Sequence, residues 1–317
     1  MQSILFSEAT DSQNKEYTIG EWMDIWFDVY SHVDLKDSTI SIYRDSYRRV
    51  CTFYPEIKTT YLSSLSSIAF QVILNTLGKQ YAKSTVRHLK LLFNKAYLCA
   101  IDNNLCNRNP IKSCVVPKNA FEKTIEALTS NEQEMLEKSL CNLLPIDDFS
   151  IRFLLNTGLR RGEFLALKWD DWDKKNNVLK IRDSKTKKGI REIPLIPETT
   201  YILSFLQFRE KHAKVHCDHI FTVNRKPINA FHLRHICNKA SKLAKIRHFT
   251  PHMLRHTFAT RLIEKGADAK TVSEILGHKN VSFTLKTYVT IDRTHKSHSM
   301  MLLSKTNLNK KNCDLIA

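Results

Sequence analysis

Glycine and proline are scarce in this chain. Its 317 residues hold only 7 Gly and 8 Pro, which excludes a collagen-like or low-complexity protein. No run of about 18 apolar residues occurs, so no membrane-spanning helix is expected. The opening stretch, Met1 to Glu16, lacks the basic-then-apolar order of a secretory signal. The 8 cysteines, at 51, 99, 106, 114, 141, 217, 237 and 313, form no Cys-x-x-Cys pair. Scattered in this way they read as reduced thiols of a cytoplasmic protein. Cys217, His219, His235 and Cys237 match no familiar zinc spacing, so no metal is expected. The chain also lacks a phosphate-binding glycine loop, clustered carboxylates for a two-metal site, and any repeat of fixed period.

Positive charge, by contrast, is abundant. Lys and Arg number 49 against 32 Asp and Glu, a formal net charge of +17. Such an excess favours a polyanionic partner, because each neutralised phosphate releases condensed counterions. Ribosomal and membrane-surface proteins share that balance, so charge alone does not choose among partners. The length suits two domains, and 42% hydrophobic residues suffice for real cores.

Along the chain, residues 1–16 read as a tail and 17–106 as a compact helical domain. Thr18 to Glu21 forms a capping box that opens an amphipathic helix carrying Trp22, Ile25, Trp26 and Val29. Further helices are predicted over 38–54, over 66–77 and from near Ser84. Arg44, Arg48, Lys83, Arg87 and Lys90 lie on these helices as candidate phosphate contacts, although solvated helix faces carry such residues too. Residues 107–123, with Asn109-Pro110 and Pro117, read as a linker. A second capping box, Thr129 to Glu132, opens the second domain, 124–303, and 304–317 reads as another tail. This second domain is predicted to be mainly helical with one β-hairpin, 178–182 and 191–195, around a basic turn. Helices are predicted over 197–212, 229–244, 251–265 and 271–276, with a short one before Tyr288.

Three segments of the second domain carry chemistry. In the first, an apolar helix runs into Gly158, which can end it in a left-handed conformation. Arg160 follows at a helix junction, with Glu163 placed to brace its guanidinium. Arginine suits phosphate because its planar fork donates two parallel charge-assisted bonds. In the second, Thr250 caps a helix with Pro251 in its first turn. His252 and Arg255, three apart, share one face near a helix N-terminus that favours anions. In the third, Gly277 closes a helix before His278, and Tyr288 follows ten residues later. Alone, Tyr288 is one of 10 tyrosines and a core position would suit it.

Together, Gly158-Leu159-Arg160-x-Gly162-Glu163, His252-x-x-Arg255-His256-Thr257-Phe258-Ala259, and Leu276-Gly277-His278 with Tyr288 resemble the signature of the tyrosine recombinases, or phage integrases. The resemblance spans the second domain and, more loosely, the helical first domain, which is similar to the family's core-binding domain. It implies a mainly α fold with a small antiparallel β-hairpin or sheet, arranged as a two-domain C-shaped clamp: a helical core-binding domain plus a mixed α+β catalytic domain. It also implies a lysine in the hairpin. Lys185 is the favoured match and Lys187 its competitor; with Lys185 in that role, Lys187 and Lys188 would contact the DNA backbone.

The implied reaction is attack of Tyr288 on a DNA phosphodiester, giving a 3′-phosphotyrosyl link and a free 5′-hydroxyl. Arg160 and Arg255 would hold the non-bridging oxygens, and Lys185 would protonate the leaving oxygen. His252 would assist proton removal from Tyr288, His278 would bond the phosphate, and Glu163 would act as a brace. The covalent link retains the energy of the broken ester, so neither ATP nor a metal cofactor is implied. The expected partners are double-stranded DNA with specific recombination sites and three further copies of the chain in a DNA-bound homotetramer. Accessory DNA-bending or directionality proteins are also expected; a membrane is not. The expected setting is the bacterial cytoplasm, at the nucleoid when bound.

The tail after Tyr288, with Met300-Met301-Leu302-Leu303, would pack on a neighbouring protomer or at home. Only 1–16 precede the first helix, too short for a separate domain that reads distant arm sites. The hairpin and His-Thr-Phe-Ala runs look more like those of mobile-element integrases than of chromosome-dimer resolvases. A topoisomerase-like DNA relaxer of type IB and a catalytically inactive DNA-binding relative are the alternatives.

Overall fold

The computed structural model describes residues 16–122, 126–182, 189–213 and 215–277. Lys185, Lys187, Lys188, His278 and Tyr288 lie outside the described residues, as do the segment before Tyr288 and the C-terminal tail. The chain divides into two compact units with the boundary between Thr124 and Ile125.

The first unit is helical. The Thr18 hydroxyl accepts from the Glu21 N–H at 3.2 Å and the Glu21 carboxylate accepts from the Thr18 N–H at 2.9 Å. Two otherwise unpaired N–H groups are thereby satisfied at the start of α1 (Ile19–Ile25). A π-helical stretch, Trp26–Tyr30, leads into α2 (Ser31–Asp34). α3 (Asp37–Phe53), α4 (Ser67–Gln80) and α5 (Lys83–Asp102) follow. Apolar residues spaced three and four apart on α5, from Val86 through Leu89, Leu92, Phe93 and Ala96 to Tyr97, are all buried against the others. The Trp22 indole N–H donates to the Ala96 carbonyl at 2.9 Å, tying α1 to α5 through a buried bond.

Of residues 107–123, expected as a linker, 107–120 lie on this unit. Ile111 and Cys114 are buried in its core. The Gln71 side chain pairs with both backbone groups of Val115, accepting at 2.8 Å and donating at 2.9 Å. The Asn-Pro pair that suggested a break instead forms a local turn. Asn109 Oδ1 accepts from the Ile111 N–H at 2.9 Å.

The second unit combines helices with a small sheet. α6 (Ser130–Ser139), α7 (Pro145–Thr157) and the short α8 (Arg161–Leu165) precede β1 (Trp172–Asp173), β2 (Val178–Ile181) and β3 (Arg191–Pro194). These strands form one antiparallel sheet in the order β1-β2-β3, with Leu179 opposite Trp172 on one side and Ile193 on the other. The hairpin seen in sequence is β2–β3; β1 is too short for an alternating pattern to show. α9 (Pro197–Lys211) follows. A second small hairpin, β4 (Thr222–Val223) with β5 (Lys226–Pro227), turns through Asn224 and Arg225, both at positive φ. This is the turn geometry that suits tight hairpins, but an Asn-Arg pair signals it weakly. α10 (Ala230–Leu243), α11 (Pro251–Glu264) and α12 (Ala269–Leu276) complete the described fold.

α7 lies at the centre of this unit, packed against α9 and α11. Its Phe153 meets Phe221 edge-on at 5.1 Å, and Phe164 stands 4.3 Å from Phe221. Each such ring contributes about 1.5–3 kcal/mol through burial. Among the described residues no helix is long and apolar enough to cross a membrane. The described cysteines are free thiols.

Candidate active site

The site is built where three segment ends meet. α7 stops at Gly158, whose φ of 61° and ψ of 23° place it in the left-handed region. Any Cβ there would overlap the Phe258 ring and stand 3.0 Å from Leu276 Cδ2. Glycine is thus required twice, by conformation and by the close approach of α11 and α12.

Two residues on, Arg160 is the N-cap of α8. Its backbone N–H donates to Glu163 Oε2 at 2.9 Å, and its guanidinium donates to Glu163 Oε1 at 2.6 Å and to the Gly277 carbonyl at 2.6 Å. The Arg160 side chain keeps 38% of its surface open.

Arg255, on the first turns of α11, is 1% exposed. It donates to the Gly158 carbonyl at 2.8 Å and to the Leu276 carbonyl at 2.6 Å. Its Nη1 also stands 4.0 Å from Glu163 Oε2. Glu163 therefore lies among guanidinium groups, with its own side chain 4% exposed. Burial by itself would raise its pKa; hydrogen bonds and charge from Arg191, then from Arg160, overcome that and hold it down at about 2.

Arg191, at the start of β3, went unremarked in the sequence. It donates to both carboxylate oxygens of Glu163, at 3.1 and 3.0 Å, to the Gly189 carbonyl at 2.9 Å, and to the Ile275 carbonyl. One signal could have found it. Arg191, Ile193 and Leu195 share a strand face by their alternate spacing, and Ile193 and Leu195 are core positions. An arginine on the buried face of a strand needs an acid or carbonyl to receive it.

The last three carbonyls of this helix end, those of Ile275, Leu276 and Gly277, are thus taken by Arg191, Arg255 and Arg160 in turn. Helix-end carbonyls have no partner within the helix, and the negative end of its dipole favours cations. The chain emerges from this clamp directly before His278.

His252 is exposed on the first turn of α11. Its ring stands edge-on to His256, with centroids 4.9 Å apart and planes at 86°. Crowding by the surrounding protein, then the charges of Arg255 and Arg160, hold its pKa below the ordinary imidazole value. Buried His256 is pushed further down, to about 4, by burial first and then by His252 and Arg255. Both imidazoles are thus neutral near pH 7, which leaves a ring nitrogen able to accept a proton.

The other described candidates belong to the first unit. In the first unit Arg44 pairs with Asp28 at 3.2 Å and Arg48 with Asp45 at 3.1 Å. Lys83 pairs with Glu122 at 2.9 Å, and Lys90 donates to the Cys114 carbonyl. Arg87 is exposed. Among the described residues no group of three or more His, Cys, Asp or Glu side chains could hold a metal ion. Cys217, His219, His235 and Cys237 form no such group.

Residues 115–295, more than half of the chain, match the phage integrase family. The chain belongs to that family. As a member it is a tyrosine recombinase, an enzyme of site-specific DNA recombination of the kind mobile elements use. It is 27% identical over 329 residues to a tyrosine recombinase XerC-like protein of Caldanaerobacter subterraneus subsp. tengcongensis, covering 92% of this chain and 83% of that one. It is 28% identical over 267 residues to the transposase from transposon Tn916 of Enterococcus faecalis, covering 73% and 63%. Its fold is that of lambda integrase, seen as a tetramer bound to a Holliday junction: the TM-score is 0.70 at 19% identity, covering 87% of this recombinase and 78% of the lambda chain.

Proposed function

We propose that this recombinase cleaves and rejoins specific double-stranded DNA sites through a 3′-phosphotyrosyl intermediate at Tyr288, moving a mobile element into or out of its host. The observation that carries the reading is the meeting of Arg160 and Arg255 around Glu163 and the end of α12. Two guanidinium groups on separate segments, one of them partly open, come together at one buried carboxylate. There they stabilise the charge that builds on the non-bridging oxygens in the transition state. Tyr288 supplies the phenol, whose pKa of about 10 makes assistance necessary at neutral pH. His252, neutral and surface-exposed, receives that proton. His278 hydrogen-bonds the phosphate. Lys185, with Lys187 as the competitor, protonates the leaving 5′-oxygen. Glu163 braces the arginines.

The helical unit, residues 17–106, is the core-binding domain and 124–303 the catalytic domain. Arg44, Arg48, Lys83, Arg87, Lys90, Lys187 and Lys188 contact the DNA backbone. Four copies assemble on two duplexes, as the lambda tetramer on its junction suggests by analogy. Host or element proteins that bend DNA or set direction complete the assembly, which works at the bacterial nucleoid.

A nicked suicide substrate carrying the native site tests this reading. The native chain is expected to trap a covalent 3′ complex, and Tyr288→Phe to trap none. Trapping through another tyrosine would overturn the assignment. Relaxation of supercoils without strand exchange between two sites would favour a topoisomerase-like relaxer instead.

A further inference from the structure

The carboxylate of Glu163 creates an electrostatic problem for a site that must bind phosphate. It lies against Arg160 at 2.6 Å and within 4.0 Å of Arg255. Left to those two alone, one negative charge would cancel half of the positive charge meant for the substrate. Arg191 removes the problem. Its fork covers both Glu163 oxygens, at 3.1 and 3.0 Å, in the two-pronged geometry that makes arginine–carboxylate pairs strong. Its Nε, Nη1 and Nη2 all donate within the protein, to Glu163 and to the Gly189 and Ile275 carbonyls.

We infer that Arg191 is a positioning residue that neutralises Glu163, so that Glu163 can orient Arg160 without subtracting from the charge Arg160 and Arg255 present to the scissile phosphate. The four groups then carry a net charge of two, which resides on the two arginines assigned to the phosphate oxygens. In a largely buried cluster this balance matters more than in water, because screening is weak. Arg191 also holds the Ile275 carbonyl. The same side chain therefore sets the height of the helix end on which Arg160 and Arg255 rest. The inference depends on the assignment of Arg160 to a non-bridging oxygen, made above.

The test compares two substrates: the nicked suicide site with an ordinary phosphodiester, and the same site with a neutral methylphosphonate at the scissile position. Replacing one non-bridging oxygen by methyl removes the charge that the arginines stabilise. For each full-length variant the quantity read is the ratio of covalent-complex formation rates on the two substrates. That ratio is independent of the fraction of protein that is folded. Arg191→Gln is expected to slow reaction on the phosphodiester about 10- to 100-fold, as loss of a supporting partner commonly does. Its deficit on the methylphosphonate should be at least about tenfold smaller. Arg160→Ala should show the same pattern. Arg191→Lys, which keeps the charge but loses the fork, should fall between Arg191→Gln and the native chain, and it replaces Arg191→Gln if the latter fails to fold.

If Arg160→Ala is relieved by the neutral substrate while the Arg191 variants are slowed equally on both, Arg191 is only a structural tie and the inference fails. If Arg160→Ala is not relieved either, the assignment of Arg160 to the phosphate falls, and the inference falls with it.

Discussion

Replacing Gly158 by alanine adds one carbon where α7, α11 and α12 converge, and the cost can be worked from the backbone. At φ 61° a residue with a Cβ is strained by about 1–2 kcal/mol. The added carbon also overlaps the Phe258 ring, standing 2.8 Å from its Cε1, and lies 3.0 Å from Leu276 Cδ2. Forcing a well-packed neighbour aside costs a further ~1–3 kcal/mol. A total of about 2–5 kcal/mol in a unit of this size lowers its melting temperature by about 5–20 °C.

Calorimetry on the full chain reads this directly, provided the transitions of the two units are resolved. A double-mutant cycle then separates the two parts. In a Phe258→Ala background the ring is gone, so Gly158→Ala should cost only the backbone part and the looser contact with Leu276 Cδ2. The coupling between the two positions should be about 1–3 kcal/mol. Equal cost of Gly158→Ala in both backgrounds would refute the steric half of the reasoning. No cost in either would refute all of it.

Two further outcomes concern protons. Glu163 has its pKa depressed on folding, from 4.5 to about 2, so its contribution to stability is complete above about pH 4.5 and is lost as the pH falls toward 2. Urea midpoints should therefore drop more steeply on acidification in the native chain than in Glu163→Gln; parallel curves would contradict the clamp geometry. His252 has its pKa lowered from 6.5 by crowding from the surrounding protein and by two guanidinium charges. Its neutral form thus persists below pH 6.5, and the acid limb of the cleavage profile should have its midpoint below that value. A midpoint at or above 6.5, or a limb unchanged in His252→Gln, would remove His252 from proton transfer.

Much of the fold could be read from local chemistry. Thr18 with Glu21 and Thr129 with Glu132 cap their helices as capping boxes do, because the pairing needs only residues three apart. Gly158 closes α7 and Gly277 closes α12, since only a left-handed residue turns the chain there at little cost. Features built from distant partners left no comparable trace. Arg191 contacts Glu163 and Ile275 across 28 and 84 residues of sequence, and no spacing rule spans such gaps. The tie of the Leu128 N–H to the Thr257 hydroxyl, and of Arg261 to the Leu128 carbonyl, is equally silent. The stretch after Asn109 was misleading for a related reason. Its prolines and lack of period signal the absence of a helix, whereas its packing on the first unit depends on Ile111 and Cys114 finding a hydrophobic floor.

The guanidinium clamp on the final turn of α12 also bears on engineering. Three side chains from β3, α8 and α11 hold successive peptide oxygens of one helix end. Exchanging any one motif for that of a distant relative would leave the other two gripping a helix end set at the wrong height. Chimeras within this unit should therefore succeed only when all four pieces travel together, and changes of DNA target are better sought in parts of the chain that do not touch this junction.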